Sequence, residues 1–258
     1  ERHGSVGDEV GYQVKQDNRT ATHTRIIYMT EGVLLRQLHN NAQLKGIDWV
    51  VMDEFHERNW QTDFLLAYLK KLKKEHPDFG LVVMSATLDS DGLDDYLLPL
   101  LPEGSTSDDL ICRLQGRQFP VEISYRDFPI SVPTWEQAGK ACKDLWFREK
   151  EGDVLIFMSG VYEIRRCMDV LASFVPRSSL YPLYSALPKK EQNQALQTQS
   201  HRKIIIATNV AETSLTIEGV RHVIDSGLVK MSRYDNHRSL TILQQEPISV
   251  SSSDQRAG

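Results

Sequence analysis

Residues 50–59 read VVMDEFHERN: an apolar run that stops at two adjacent carboxylates, followed by a phenylalanine, a histidine and a further acid and base. The run reaches back to Trp49 without polar alternation, which is the pattern of a strand covered on both faces in a parallel sheet. LVVMSAT (81–87), DVLIFMSG (153–160), KIIIATN (203–209) and VRHVIDSG (220–227) have the same form, aliphatic first and small or polar at the end. Helical periodicity separates them. Leu65, Leu66, Leu69 and Leu72 share a face behind Thr62, which reads as a cap, and lysines precede Pro77. Trp135, Ala138, Cys142, Leu145 and Trp146 form a second stripe, and Ile164, Cys167, Met168, Leu171 and Phe174 a third. Pro188 suits the first turn of a fourth helix. Such alternation predicts an α/β fold with mainly parallel sheets, whose ligands bind beyond the carboxyl ends of the strands. Every polar terminus named above falls there.

The chain has 258 residues, 40% hydrophobic and 25% charged, enough for one large core or two medium ones. Its net charge of −5 gives no support for a nucleic-acid partner, so any such contact must come from local placement of donors. Cys112, Cys142 and Cys167 form no CxxC pair, which fits packed, reduced thiols and argues against zinc. No apolar stretch approaches the roughly 18 residues that span a bilayer, and ERHGSVGDEV (1–10) is no signal peptide, so an intracellular, cytoplasmic or nuclear protein is expected. GRQFPVEISYRDFPISVP (116–133) carries three of the ten prolines and interrupts the alternation. It places a domain boundary near Gly116, with units over 1–116 and 117–258.

Carboxylates at the end of a buried strand are costly unless a cation or a proton-transfer task uses them. A magnesium ion carrying nucleotide phosphates would satisfy Asp53, and a water to be deprotonated would satisfy Glu54. The alternative is that both acids cap the next helix or pair with Arg58. A zinc site of the HExxH type fails because Trp60 stands where the second histidine is needed. No GxSxG is present to make Ser85 or Ser159 a nucleophile.

The ordered set of motifs resembles the DEAH-box RNA helicases of helicase superfamily 2. DEFH (53–56) is similar to the family's Asp-Glu-x-His motif, with Phe55 where alanine is usual, as in some bacterial members. SAT (85–87), FMSGVYEI (157–164), ATNVAETSLTIEGVRHVIDSG (207–227) and the opening DQRAG (254–258) follow in family order. Upstream, VGYQVKQDNR (10–19) and MTEGVLLRQL (29–38) resemble two further family segments. The resemblance implies two tandem RecA-like lobes, the first incomplete at its N-terminus, and an ATP-dependent RNA helicase using ATP and Mg2+. It implies that Asp53 holds magnesium, that Glu54 polarises the attacking water, and that His56 couples the nucleotide to the second lobe through Gln255. Ser85 and Thr87 would link hydrolysis to lobe movement, Ser214 would sense the nucleotide, and Glu218 stands where aspartate is frequent. Thr30, Arg36, Ser159, Thr208 and Asn209 would hold RNA phosphates.

Residue by residue, other readings stay open. Ser85 with Thr87, and Thr208 with Asn209, could cap turns after their strands, and Arg36 could be a solvated helix charge. LVKMSRYDNHRSLTILQQEPIS (228–249) alternates about Tyr234–His237 as a hairpin would, or as an ordinary sheet edge. Backbone recognition through hydroxyls and main-chain N–H groups needs no strongly basic surface, so the acidic balance is compatible with RNA. No GxxxxGK[ST] phosphate loop occurs, and the chain stops where the family's transition-state arginines would follow. The chain is therefore expected to be a fragment that is inactive alone. Two rival functions are a helicase-derived RNA scaffold without ATPase activity and an NTP-driven DNA translocase.

Overall fold

A computed structural model describes residues 5–85, 92–113, 120–212, 217–235 and 240–257. The chain divides into two compact units, Glu1–Gln115 and Gly116–Gly258. Thr87 and Ser214 lie outside the described residues.

In the first unit, strands β1 (Val10–Val14) and β2 (Asp17–Arg19) form an antiparallel hairpin across Lys15 and Gln16, and β3 (Ile26–Met29) pairs in parallel with β1. A Cβ on Gly11 would sit 2.2 Å from the Arg19 carbonyl oxygen, so only glycine lets β2 approach β1 at this point. Helix α1 (Glu31–Asn40) follows at once and buries Val33, Leu34 and Leu38. Strands β4 (Trp49–Met52) and β5 (Gly80–Val83) are parallel, with helix α2 (Trp60–Glu75) between them in sequence. Leu65, Leu66, Leu69 and Leu72 face the core as their spacing predicts. The cap differs from the sequence reading. Asn59 caps α2 by accepting from the N–H groups of Gln61 and Thr62, while the Thr62 hydroxyl accepts from the Asn59 N–H. Thr62 is thus the third helical residue of a capping box, because the asparagine three residues earlier can satisfy two of the free N–H groups itself. Short helices α3 (Leu93–Leu97) and α4 (Ser107–Leu110) complete the unit.

The second unit begins with an extended, exposed stretch and then α5 (Thr134–Arg148), β6 (Asp153–Phe157), α6 (Val161–Leu171), β7 (Leu180–Leu183) and α7 (Lys189–Leu196). Strands β8 (Ile204–Ala207) and β9 (Val220–Asp225), the pair β10 (Leu228–Asp235) and β11 (Leu240–Pro247), and helix α8 (Val250–Ala257) follow. The sheet runs β7-β8-β6-β9, all parallel. Its central strands have the purest aliphatic sequences, and Ile156 and Ile204–Ile206 are fully buried. Pro182 marks β7 as an edge, where a missing N–H costs no ladder bond. Pro188 stands one residue before α7, at its N-cap. Strands β10 and β11 pair with each other from Leu228↔Pro247 to Asp235↔Leu240, so the alternation at 228–249 is a hairpin and not an edge of the parallel sheet. Tyr234 and Asp235 belong to the strand rather than to the turn.

Two cations that sequence alone would place at the surface are structural. The fully buried Lys203 donates through Nζ to the carbonyls of Ala195 and Gln197, 2.7 Å from each, closing the end of α7. Burial draws its pKa down. Arg202 stacks on Trp146 and donates to the carbonyls of Trp146, Glu149 and Gly152 at the end of α5.

Candidate functional site

Strand β4 ends at Met52, but its pairing continues past the strand. Met84 N–H donates to the Met52 carbonyl at 2.8 Å, and Phe55 N–H donates to the Met84 carbonyl at 3.0 Å. Asp53 and Glu54 are the two residues bridged by this step, so they project from the carboxyl edge of the sheet. Phe55 anchors the turn with its ring buried in the core and the Arg58 guanidinium 5.1 Å from the ring centre. Glu54 carries φ +51°, a left-handed conformation that side-chain-bearing residues adopt at a cost of order 1–3 kcal/mol. Its carboxylate lies 3.4 Å from His56 Nδ1, and the His56 ring is nearly buried within the short 3-10 turn Phe55–Glu57. Asp53 is exposed and accepts the Glu54 N–H at 2.9 Å.

The structural alternative for these acids does not hold as framed. Helix α2 is capped by Asn59, and Arg58 forms its 2.7 Å ion pair with Asp63. The donor set fits magnesium rather than a protein-caged metal: among the described residues no group of three His, Cys, Asp or Glu side chains could hold an ion. Mg2+ is commonly bound through one or two carboxylates with phosphates and water supplying the rest.

Ser85 follows the end of β5, beside the Met84 backbone that fastens the Asp53–Glu54 turn. Thr30 occupies the N-cap position of α1, where its carbonyl accepts from Val33 and Leu34, and Arg36 is exposed on the same helix. Arg36 lines an open cavity of about 360 Å³ with Gln13, Val14, Lys15, Val33 and Gln37.

In the second unit Ser159, Thr208 and Asn209 follow strand ends at the carboxyl edge of the parallel sheet, whereas Glu218 precedes β9 at the opposite, amino edge. Thr208 opens a 3-10 turn, Asn209–Ala211, directly after β8, and its N–H donates to the Leu183 carbonyl at the end of β7. Asn209 is exposed and Glu218 accepts from the Thr198 hydroxyl at 3.3 Å. Ser159, buried after β6, donates from its hydroxyl to Gln245 Oε1 at 3.1 Å. Lys230 Nζ lies 2.9 Å from Glu163 at the start of α6, so the hairpin is fastened to the Ser159 segment by two polar links.

One group that sequence reading left without a role dominates this edge. Arg256 on α8 is buried, with Nε 2.8 Å from Glu212 and Nη1 2.9 Å from Asp225. Its guanidinium lies 4.6 Å from the centre of the Phe157 ring. Gln255 precedes it on the same helix. The motif DQRAG contains Arg256, but only the fold brings its two carboxylates within reach.

Parallel strands with polar residues at their carboxyl edges define an α/β protein built to hold ligands at strand ends. The DEAD/DEAH box helicase family model matches residues 3–96, and the helicase conserved C-terminal domain matches 137–245. The chain is 37% identical to the ATP-dependent RNA helicase HrpA of Escherichia coli, over 98% of this chain and 19% of that protein. Its identity to HrpB of the same organism is 39%, over 98% and 30%. A human protein named probable ATP-dependent RNA helicase DHX35 is 36% identical, over 100% and 38%. A crystal structure of the E. coli DEAH/RHA helicase HrpB superposes with a TM-score of 0.83 at 38% identity, covering 98% of this chain and 32% of that one. The two units are RecA-like, and the chain belongs to the DExH-box helicases of superfamily 2. It spans between about a fifth and two fifths of the length of these relatives.

Proposed function

We propose that the chain is the motor portion of an ATP-dependent RNA helicase, with residues 1–116 and 117–258 as its two lobes. The observation that carries this reading is the turn at Asp53–His56. Glu54 is held in a left-handed conformation at a strand end with an imidazole 3.4 Å from its carboxylate. A turn maintained at that cost, with neither acid used as the helix cap, fits a proton-transfer site better than a surface loop.

In this reading Asp53 offers the carboxylate that would hold magnesium, which when bound would neutralise charge on the ATP phosphates. Glu54 takes the proton of the attacking water, and the nearly buried His56 orients its carboxylate. The resemblance would further give Ser214 and Glu218 roles toward the nucleotide, Gln255 a role with His56, and Ser85 and Thr87 the link from hydrolysis to lobe movement. Thr30, Arg36, Ser159, Thr208 and Asn209 contact RNA phosphates, which gives affinity without base readout.

The test uses the full-length protein, assayed for ATP hydrolysis with and without single-stranded RNA. Glu54→Gln is expected to lower the stimulated rate by about 10²–10⁴, the usual contribution of a positioned base. Hydrolysis that survives this substitution would remove Glu54 from the mechanism. RNA binding without any hydrolysis in the unsubstituted protein would favour a scaffold, and equal stimulation by DNA of the same sequence would favour a DNA translocase.

A further inference from the structure

Strand β1, the turn into β2 and helix α1 border the open cavity of about 360 Å³ in the first unit. A space of that size takes a small organic group rather than a single ion. Its lining holds one carboxylate, Asp17, and both oxygens of that group are engaged: one accepts the Tyr12 hydroxyl at 2.6 Å and the other lies 3.3 Å from Arg19 Nε. Lys15 and Arg36, both exposed, have no carboxylate partner among the described residues. Gln37 Nε2 donates to Gln13 Oε1 at 3.0 Å and so joins the helix to the hairpin. The bond uses one donor group and one acceptor, and leaves the Gln13 NH2 and the Gln37 carbonyl on two linked amides. Buried Val33 adds an apolar wall.

A donor beside an acceptor matches the ring nitrogen and exocyclic amine of adenine, the base that glutamine reads with paired hydrogen bonds. Two cations suit the phosphate of the same nucleotide. With the phosphate anchored, the base has one orientation, and uracil, whose edge carries donor and acceptor in the reverse order, sets like groups face to face. We propose that this cavity takes an adenine nucleotide of single-stranded RNA, with Gln13 and Gln37 reading the base and Lys15 and Arg36 holding its phosphate. The inference rests on the helicase reading above and adds base selectivity to it. Phosphate contacts fix register without carrying sequence information, whereas amides at a base edge discriminate.

The experiment measures Kd of the full-length protein for oligo(rA) and oligo(rU) of equal length at one salt concentration, with Gln13→Ala, Gln37→Ala and Lys15→Ala made separately. Each glutamine variant is expected to lower the preference for oligo(rA) over oligo(rU) by about fivefold or more, the lower end of discrimination by a bidentate contact. Differences intrinsic to the two RNAs cancel in that comparison, and a variant that merely loosens the fold weakens both RNAs alike. Lys15→Ala is expected to weaken both RNAs and to leave the preference intact. An unchanged preference in either glutamine variant overturns the proposal, as does a Lys15→Ala variant that binds both RNAs as before. AMP is titrated into the same proteins: an AMP affinity that falls in the glutamine variants while the RNA preference stays unchanged makes the cavity a site for free nucleotide and overturns the assignment to RNA. Absence of any RNA binding by the unsubstituted protein overturns the helicase reading as well, whereas RNA binding with an unchanged preference overturns the cavity's role alone.

Discussion

The WVVM of β4 and the IIIA of β8 look alike as sequence, yet the two units bury them differently. Ile204, Ile205, Ile206 and Ala207 are all fully buried, whereas β4 alternates, with Val50 and Met52 inside and Trp49 and Val51 more than half exposed. In the second unit helices cover both faces of a four-stranded sheet. In the first, β4 and β5 form a two-stranded sheet of their own among the described residues, and one face lacks a covering layer. A continuous apolar run therefore reports a strand and not the number of faces it buries. The candidate sites differ in the same way: the Asp53–Glu54 turn rests on backbone pairing and one buried ring, while the strand ends of the second unit are tied by a buried ion cluster.

The sharpest way to break this comparison is to truncate matched positions in the 258-residue chain and follow urea unfolding. Ile156→Ala in β6 is expected to cost about 2–5 kcal/mol, because a fully enclosed side chain leaves a cavity. Val51→Ala in β4 is expected to stay within about 0.5 kcal/mol. Equal costs would mean that β4 is covered after all.

A smaller effect is expected at the first unit's best local feature. Asn59→Ala removes the acceptor for two N–H groups and should cost about 1 kcal/mol, read from the unfolding of the same chain. Thr62→Ala should cost a similar amount, since the buried Thr62 hydroxyl accepts from the Asn59 N–H and donates to the Asn59 carbonyl.

The smallest effect at neutral pH concerns the thiols. Burial pushes Cys142 and Cys167 up to about 12, so both remain protonated and unreactive, while Cys112 is exposed. A thiol-labelling reagent at pH 8 should modify one cysteine in the native chain and three in denaturant. Because the folded-state pKa is raised above the ordinary value of 9, the neutral thiols leave stability intact below pH 9. As pH rises from 9 towards 12, the unfolded chain ionises first and stability declines. The Cys142→Ala, Cys167→Ala double variant should decline less steeply over that window.

The placement of several candidate residues at strand ends was legible before any fold was known. Asp53 and Glu54 stand out because charge at the end of an aliphatic run needs a reason, and the hairpin shows in its alternation. Strands β1 to β3 were less visible: Gly11, Asp17 and Asn18 dilute the apolar pattern, and the pairing of β1 with β3 is not local. Strand β7 was hidden by Pro182, whose place at a sheet edge is a property of strand order. The Asn59 cap was masked by the nearby Thr62, an equally good capping residue by type.

From the sequence by itself follow the aliphatic strands β4, β5, β6, β8 and β9, the polar residues that end several of them and the family, because each is written in local order and spacing. Tertiary structure alone decided which faces are covered, that Lys203 and Arg202 close helices rather than meet solvent, and that Arg256 joins Glu212 and Asp225. Those partners lie 44 and 31 residues away along the chain. Burial and ion pairing depend on which strand ends the fold brings side by side, and no local pattern of residues encodes that adjacency.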